Sequence, residues 1–198
     1  MIRLREVTAE STDGTVIFDR LSLHVDDGEV LVVTGHAGSG KSALVDVCRG
    51  ELFPTSGDVE IEPTGQCAVV TQDYGLCESL TVEENILLPM IARGVDHARA
   101  AERTADALQR LGIDAIGDHL VDEISGGQRQ RVAVARALAD VPGVIVADEP
   151  TAALDAENRA IVLAELRRAA DNGASVLITT NDTQLAKDSG NSIVLGVR

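Results

Sequence analysis

A glycine-rich stretch that begins at residue 35 has the residue types and spacing needed to bind phosphate. It consists of Gly35, His36, Ala37, Gly38, Ser39, Gly40, Lys41 and Ser42, which fits the pattern Gly-x-x-x-x-Gly-Lys-Ser/Thr. The glycines lack a Cβ and tolerate positive φ, so backbone N–H groups can surround a phosphate. Lys41 would reach the β- and γ-phosphates, and the Ser42 hydroxyl would ligate Mg²⁺. We interpret residues 35–42 as a phosphate-binding loop and not as a chance glycine-rich turn.

The flanking sequence supplies the elements that such a loop requires. Residues 31–33 are apolar and predict a short buried strand, and residues 42–48 predict an amphipathic helix. A helix that begins at the loop adds unpaired N–H groups and a partial positive charge beside the phosphate. The local order strand, loop, helix therefore supports the interpretation of the loop.

An acidic pair follows a second apolar run. Residues 144–147 predict a strand buried on both faces, and Asp148 and Glu149 come directly after it. Ligands bind at the carboxyl ends of strands in open α/β sheets. One carboxylate there could hold Mg²⁺, and another could activate water. By itself the pair would fit a helix cap or a solvated loop, but the phosphate loop upstream favours the functional interpretation.

A third motif heads a predicted helix that runs to residue 138. Ser125, Gly126, Gly127 and Gln128 have the spacing of a capping box. Two glycines in the first turn weaken a helix by about 1 kcal/mol each relative to alanine. The motif is therefore either a loosely held helix start or a second anion-binding helix terminus. In the second case, the absence of side chains at the glycines would let an anion approach the backbone N–H groups closely. A second phosphate site makes sense if two copies of the chain each offer one half.

The composition predicts a single acidic domain over residues 1–198. The formal charge is −15 and the pI is about 4.5, which argues against a nucleic-acid partner because such binders present a basic face. Cys48, Cys67 and Cys77 lack metal-site spacing, so we expect three core-filling thiols. No secretory signal or bilayer-length apolar run is apparent, so a membrane role would come through a partner. Aromatic residues make up only 2% of the chain, which predicts an aliphatic core.

Alternating strands and helices after residue 30 predict an α/β fold with a parallel sheet. The predicted strands cover residues 2–7 (at a sheet edge), 15–18, 21–25, 58–62, 67–71, 144–147, 174–179 and 193–197. The predicted helices beyond the phosphate loop cover residues 82–92, 97–111, 126–138 and 155–169. The helices between the strands suggest a small helical lobe.

Taken together, these motifs resemble the ATP-binding-cassette (ABC) ATPases. The phosphate loop, Gln72 in VVTQD, ISGGQRQR from Ile124 and VIVADEPTAALD from Val144 occur in the order typical of that family, and SGGQ is specific to it. The stretch LTVEENILLPMIARGV from Leu80 is most similar to ATPase subunits of the lipoprotein-releasing and macrolide-efflux exporters. The resemblance implies a P-loop NTPase core with a parallel sheet, an antiparallel β edge subdomain and a helical subdomain at approximately 76–140.

The resemblance also implies ligands and roles. ATP and Mg²⁺ would bind, with Asp148 on the magnesium side, Glu149 as general base and Gln72 in contact with Mg²⁺ or water. Residues 125–128 would clamp the γ-phosphate held by a second copy of the chain, and Asp155 would cross that dimer interface. Residues 78–86 would lie near the surface that docks on a transmembrane permease subunit. The chain would then be cytoplasmic and peripheral on the inner face of the membrane.

Two positions depart from the family pattern. Asn181 stands where the family has a histidine after a strand. Its amide can donate a hydrogen bond to the γ-phosphate but cannot carry positive charge; alternatively, it forms only an Asx turn before Asp182. Ser11 stands where the family has an aromatic that stacks on adenine, and the nearby Phe18 is interpreted as core.

Three functions fit this pattern. The leading hypothesis is an ATP-hydrolysing subunit that powers or gates a membrane transporter through an ATP-sandwich dimer. The alternative is a regulatory ATP-binding subunit with little turnover, because Asn181 replaces the histidine. A soluble ABC protein acting on DNA or ribosomes fits less well, because the chain is a single acidic cassette without long coiled-coil insertions.

Overall fold

The computed structural model describes residues 1–63 and 67–196, and these form eight strands and six α-helices. The strands are β1 (Ile2–Glu10), β2 (Val16–Val25), β3 (Val30–Thr34), β4 (Ser56–Ile61), β5 (Cys67–Val70), β6 (Val144–Asp148), β7 (Ser175–Thr180) and β8 (Ser192–Val194). The helices are α1 (Lys41–Arg49), α2 (Val82–Ala92), α3 (His97–Arg110), α4 (Gly126–Ala139), α5 (Ala156–Asp171) and α6 (Thr183–Ser189). Short 3₁₀ turns occupy Asp114–Ile116 and Val121–Glu123.

The chain divides into two compact units. The first comprises Met1–Val69, Gly143–Glu149 and Ala170–Arg198, and the second comprises Val70–Pro142 and Pro150–Ala169. The predicted helical subdomain, approximately 76–140, falls within the longer segment of the second unit.

A five-stranded sheet in the order β5-β6-β7-β3-β8 forms the centre of the first unit. The β3–β7, β3–β8 and β6–β7 pairs are parallel. All residues of β6 and β7 are buried, which explains their continuous apolar character. The register places Asp148 opposite Thr179 and Thr34 opposite Thr180, so the carboxyl ends of β6, β7 and β3 lie side by side.

A second, antiparallel sheet has the order β2-β1-β4. Because β1 pairs with both neighbours, the prediction that it lies at an edge is wrong. The two predicted strand pieces at 15–25 form the single strand β2, whose pairing is irregular. Arg20 has φ 51° within this strand, and that left-handed residue accounts for the break in the alternating pattern.

The core of the first unit is aliphatic, as the composition predicted. Residues of both sheets and of α1 form one cluster. Its most deeply buried members include Ile2, Val33, Leu44 and Leu177, each 0% exposed. Phe18 is the one aromatic among the buried hydrophobic residues of the described chain, which confirms its interpretation as core.

The second unit is built on helices with side-chain caps. A capping box of Thr81 and Glu84 is present at the start of α2. Asp96 caps α3, and Ser125 caps α4. The buried Asn85 donates to the carbonyls of residues 77, 80 and 81 and accepts from the Cys77 N–H, which fixes the segment before α2.

Several details differ from the predicted pattern. Helix α6 was not predicted, and it begins because the Asp182 carboxylate accepts from the N–H groups of Gln184 and Leu185. Strand β8 covers Ser192–Val194, and the predicted end at Val197 lies outside the described residues. Cys48 is buried, whereas Cys77 is exposed and fills no core. Among the described residues, no helix is long and apolar enough to cross a bilayer.

Candidate active site

The glycine-rich loop connects β3 to α1 and depends on its glycines in two ways. Gly38 and Gly40 have φ +80° and +95°, which is the left-handed region that side chains rarely adopt. Gly35 does not require positive φ. A Cβ on Gly35 would lie 2.2 Å from the Ser39 Oγ and 2.7 Å from the Leu195 carbonyl oxygen. The first glycine is therefore required by close packing, and the other two by backbone conformation.

Lys41 begins α1 and is only 7% exposed. Its Nζ donates to the carbonyl oxygens of Gly35 at 2.8 Å and His36 at 3.1 Å. It also donates to the Asn181 Oδ1 at 2.8 Å. An ammonium group has three protons, and three acceptors surround this one, so the loop folds around its own lysine.

The side chain of Asn181 faces the phosphate loop. Because Lys41 can only donate, the contact fixes the Asn181 carboxamide with Oδ1 towards the lysine and its NH₂ group directed elsewhere. The corner after β7 is instead organised by Asp182, which caps α6. The interpretation of Asn181 as a mere Asx turn is therefore wrong.

Asp148 ends β6 and is held by two hydroxyl groups. Ser42 Oγ donates to its Oδ2 at 2.8 Å, and Thr179 Oγ1 donates to its Oδ1 at 2.5 Å. Asp148 as a whole is 5% exposed. Each oxygen thus has a fixed donor, and a hydroxyl oxygen of the phosphate loop lies directly beside it.

Glu149 is the next residue, and its backbone is left-handed at φ 49°. Its N–H donates to the Thr179 carbonyl oxygen at 2.9 Å, which anchors this conformation to β7. Its carboxylate accepts from the Thr180 Oγ1 at 2.9 Å and from the Asn181 N–H at 2.7 Å. With only 8% exposure, the carboxylate is fixed at both oxygens by the end of the neighbouring strand.

The SGGQ motif forms the first turn of α4. The Gln128 N–H donates to the Ser125 Oγ at 3.3 Å, and the Ser125 N–H donates to the Gln128 Oε1 at 2.8 Å, so the predicted capping box is present. Ser125 and Gly126 are exposed, and Gly127 and Gln128 are half-buried. A Cβ on Gly127 would lie 3.2 Å from the Ala153 carbonyl oxygen. This helix terminus therefore presents bare backbone to solvent at Gly126, whereas Gly127 packs closely against Ala153.

Two further predicted site residues lie in the same second unit. Gln72 is exposed in the turn that follows β5. Asp155 is exposed, and its carboxylate accepts from the Asn158 N–H at 2.8 Å and the Asn158 Nδ2 at 2.9 Å. Asp155 therefore stabilises the start of α5.

Arg136 of α4 holds the turn beside Gln72. Its guanidinium donates to the Tyr74 carbonyl oxygen at 2.8 Å and to the Gly75 carbonyl oxygen. Burial lowers the pKa of this guanidinium, and the charge of nearby Asp73 opposes that shift. A partly buried cation therefore fixes the backbone on the carboxyl side of Gln72.

The structure brings one group of predicted residues together within the first unit: the loop of residues 35–42, Asp148, Glu149 and Asn181. Gln72, residues 125–128 and Asp155 belong to the second unit. Sequence reasoning missed Thr179, Thr180 and Arg136. The two threonines, like the acidic pair, stand at the end of a predicted strand. That position could have marked them as candidate site residues.

The residues of the first unit fit a phosphate ester and a hard cation. The loop leaves no room for a Cβ at Gly35, and the Ser39 hydroxyl, 1% exposed, has no hydrogen-bond partner. A cradle of backbone groups with a spare hydroxyl suits a phosphate. The hydroxyl of Ser42 and the carboxylate of Asp148 are oxygen donors of the kind Mg²⁺ takes alongside substrate phosphates.

This fold and site define a P-loop nucleotide-binding cassette, in which a glycine-rich loop and an acidic strand end share one edge of a parallel sheet. The family model described as ABC transporter matches residues 18–152, which is more than half of the chain. The chain belongs to the ABC transporter family.

Similar proteins include ATP-binding proteins of transport systems, one named for import and another for lipoprotein release. The chain is 38% identical over 195 residues to the xylose/arabinose import ATP-binding protein XacJ of Haloferax volcanii, covering 92% of this chain and 51% of that protein. It is 34% identical over 203 residues to the lipoprotein-releasing system ATP-binding protein LolD of Xanthomonas campestris, covering 93% and 84%. The chain thus spans about half the length of XacJ but most of LolD.

A solved structure shares nearly the whole fold. The ATP-binding cassette MJ0796, in a dimeric post-hydrolysis state bound to ADP and Pi, superposes with a TM-score of 0.90 at 28% identity, covering 98% of this chain and 94% of that one. The predicted ABC ATPase fold, ATP-binding subunit class and ATPase chemistry are confirmed at the level of the family. The regulatory alternative gains no support from these comparisons.

Proposed function

We propose that this chain is the ATP-hydrolysing subunit that drives a membrane ABC transporter by closing, as a dimer, over ATP and Mg²⁺. The observation that carries the proposal is the prebuilt network at the carboxyl ends of β6 and β7. There, Asp148 and Glu149 lie in one unit with the phosphate loop, and both are held by neutral hydrogen-bond donors. Residues 1–198 would act as one ABC ATPase domain, with the helical subdomain at approximately 76–140.

The phosphate loop would bind the triphosphate through backbone N–H groups of residues 35–40 and the start of α1. Lys41 would exchange at least one of its three present acceptors for a phosphate oxygen. The contact to Asn181 is the exchangeable one, because the two carbonyl contacts belong to the loop itself. Ser39, whose hydroxyl lacks a partner, would donate to the same ligand.

When bound, Mg²⁺ would neutralise part of the charge that develops on the phosphates. Ser42 and Asp148 are the residues of the first unit that would hold it, and a role for Gln72 stays a prediction from the family resemblance alone. Ser42 Oγ already lies 2.8 Å from the Asp148 Oδ2, so these oxygens need little rearrangement to face a common ion.

Glu149 would act as general base, taking a proton from the water that attacks the γ-phosphate. The carboxylate is suited to this because its orientation is fixed on one side by β7. Once Lys41 exchanges its contact with the Asn181 Oδ1 for a phosphate oxygen, the Asn181 side chain would be released to donate from its NH₂ group to the γ-phosphate. An amide there is neutral, so it would stabilise the developing charge less than an imidazolium.

The SGGQ turn would supply the other half of the site to a second copy. The N–H groups of the exposed Gly126 and the half-buried Gly127, together with the Ser125 hydroxyl, suit a γ-phosphate that approaches from outside the molecule. Asp155, exposed at the start of α5, would contribute at the same interface. The dimeric state named for MJ0796 supports two copies acting together.

A transmembrane permease subunit is the second proposed partner, docking at residues 78–86. XacJ is named for import and LolD for lipoprotein release, so relatives serve both kinds of system. The similarity of residues 80–95 to the exporter group favours outward transport or force transmission. The chain would then be cytoplasmic, at the inner face of the membrane. With a charge of −15, it is not expected to bind nucleic acid.

The decisive experiment replaces Glu149 by Gln. The amide keeps the size of the side chain but cannot accept the proton, so we expect hydrolysis to fall about 100-fold or more. Binding of Mg-ATP should persist, and the variant should elute as a dimer on size-exclusion chromatography with Mg-ATP and as a monomer without it. Phosphate release at the wild-type rate, or a monomer under both conditions, would refute the proposal.

A further inference from the structure

Thr180, the last residue of β7, has a hydroxyl group with a fixed direction. Its side chain is 1% exposed. Thr180 Oγ1 accepts from the Asp182 N–H at 3.1 Å and lies 2.9 Å from the Glu149 Oε2. An N–H can only donate and a carboxylate can only accept, so the hydroxyl proton must point to Glu149.

The two carboxylates of the acidic pair are each held by one threonine of the neighbouring strand. Thr179 Oγ1 donates to Asp148, which lies opposite it in the register, and Thr180 Oγ1 donates to Glu149. The second oxygen of Glu149 accepts from the Asn181 N–H. Removal of the Thr180 hydroxyl would therefore leave the Glu149 carboxylate fixed at one oxygen and free to rotate about that contact.

We propose that Thr180 is a positioning residue for hydrolysis, which holds the Glu149 carboxylate in the orientation that accepts the proton of the attacking water. This inference rests on the proposed role of Glu149. A general base must lie within hydrogen-bond reach of the proton it removes, and small misplacements lower the rate steeply. None of these side-chain bonds reaches the phosphate loop, so we expect removal of the hydroxyl to change ATP binding little.

The test is Thr180→Val, which keeps the shape of the side chain and removes the hydroxyl. We expect kcat for ATP to fall about tenfold or more, with the KM for Mg-ATP within about twofold of wild type. Thr180→Ser restores the hydroxyl and should recover kcat to within about threefold. If the valine variant does not fold, Thr180→Ala removes the same hydroxyl with less bulk and carries the same comparison with serine.

Thr104→Val is the matched control. Thr104 is also 1% exposed, but its hydroxyl has no hydrogen-bond partner, so its loss should leave kcat unchanged. A purely structural role for Thr180 would lower the melting temperature of Thr180→Val and leave kcat intact, and that result would overturn the inference. A rise in KM that matches the fall in kcat/KM would also overturn it. Wild-type hydrolysis by Glu149→Gln would instead refute the proposed function, so the two failures are distinguishable.

Discussion

The phosphate-loop region of the first unit and the SGGQ region of the second unit are built in opposite ways. In the first, Lys41, Asp148 and Glu149 are each less than 9% exposed and engaged by neighbouring residues. In the second, Ser125 and Gly126 are exposed, and the reciprocal bonds of the cap lie within one helical turn. One region holds charges in place before any ligand arrives, and the other offers uncharged backbone donors to solvent.

In the proposed mechanism, neither region is sufficient for hydrolysis by itself. The first has the ammonium, the carboxylates and the cradle, but its lysine is occupied by protein oxygens. The second has a helix terminus suited to an anion but no charged group within residues 125–128. Two variants, each damaged in one region, should therefore complement one another.

The strongest loss of activity is expected for the variants Lys41→Ala and Gly126→Asp. In each variant alone, the rate of hydrolysis should fall about 100-fold. Lys41→Ala removes the ammonium, and Gly126→Asp places a negative charge where the γ-phosphate would bind. A Cβ at Gly126 would meet only the Tyr74 hydroxyl at 3.6 Å, so the aspartate should not disturb folding. Random pairing of an equal mixture in a two-fold dimer leaves about a quarter of the sites intact.

Steady-state phosphate release from the mixture is the measurement. We expect about a quarter of the wild-type activity. The controls are the single variants, each assayed alone at the total protein concentration of the mixture. A mixture as inactive as its components would show that the two regions do not meet between copies.

A smaller effect is expected at Arg136. This residue shows that the second unit also contains a partly buried charge held by neighbouring residues. Arg136→Met would leave the Tyr74 and Gly75 carbonyl oxygens without their donor. Loss of a hydrogen-bonded charged group of this kind costs about 1–3 kcal/mol in the free energy of unfolding. Urea denaturation of this variant beside Arg99→Met, at an exposed position of α3, measures it; equal stabilities would contradict the role of Arg136 in fixing the turn.

The smallest expected effect is a gain. Asn181→His introduces a side chain that can become cationic beside the γ-phosphate, so turnover should rise several-fold, corresponding to about 1 kcal/mol of the barrier. Single-turnover hydrolysis compared between Asn181→His and wild type checks this. Equal rates would mean that the amide already serves as well as an imidazole.

Local patterns predicted most of the candidate site. The phosphate loop, the acidic pair and the capping box of Ser125 and Gln128 are short stretches in which residue type and spacing indicate the geometry directly. Gly35 shows the limit of that reasoning. Its need for glycine comes from packing against Ser39 and Leu195, and Leu195 is far away in sequence.

Non-local pairing explains what the sequence could not show. The central position of β1 depends on which strands flank it, and alternation within residues 2–10 is the same at an edge and in the middle. The roles of Thr179 and Thr180 depend on the register between β6 and β7. Helix α6 was missed because its seven residues are mostly polar and give too short a periodic signal.

The left-handed backbone of Glu149 lowers the stability of the protein at the same residue that is proposed to act as general base. A residue with a side chain pays about 1–2 kcal/mol to occupy this region, and glycine does not. Glycine at position 149 would relieve that cost, but it would also leave the Thr180 hydroxyl and the Asn181 N–H without their acceptor. A screen for heat resistance alone would therefore gain little from glycine at this position and would lose the carboxylate that the proposed hydrolysis requires.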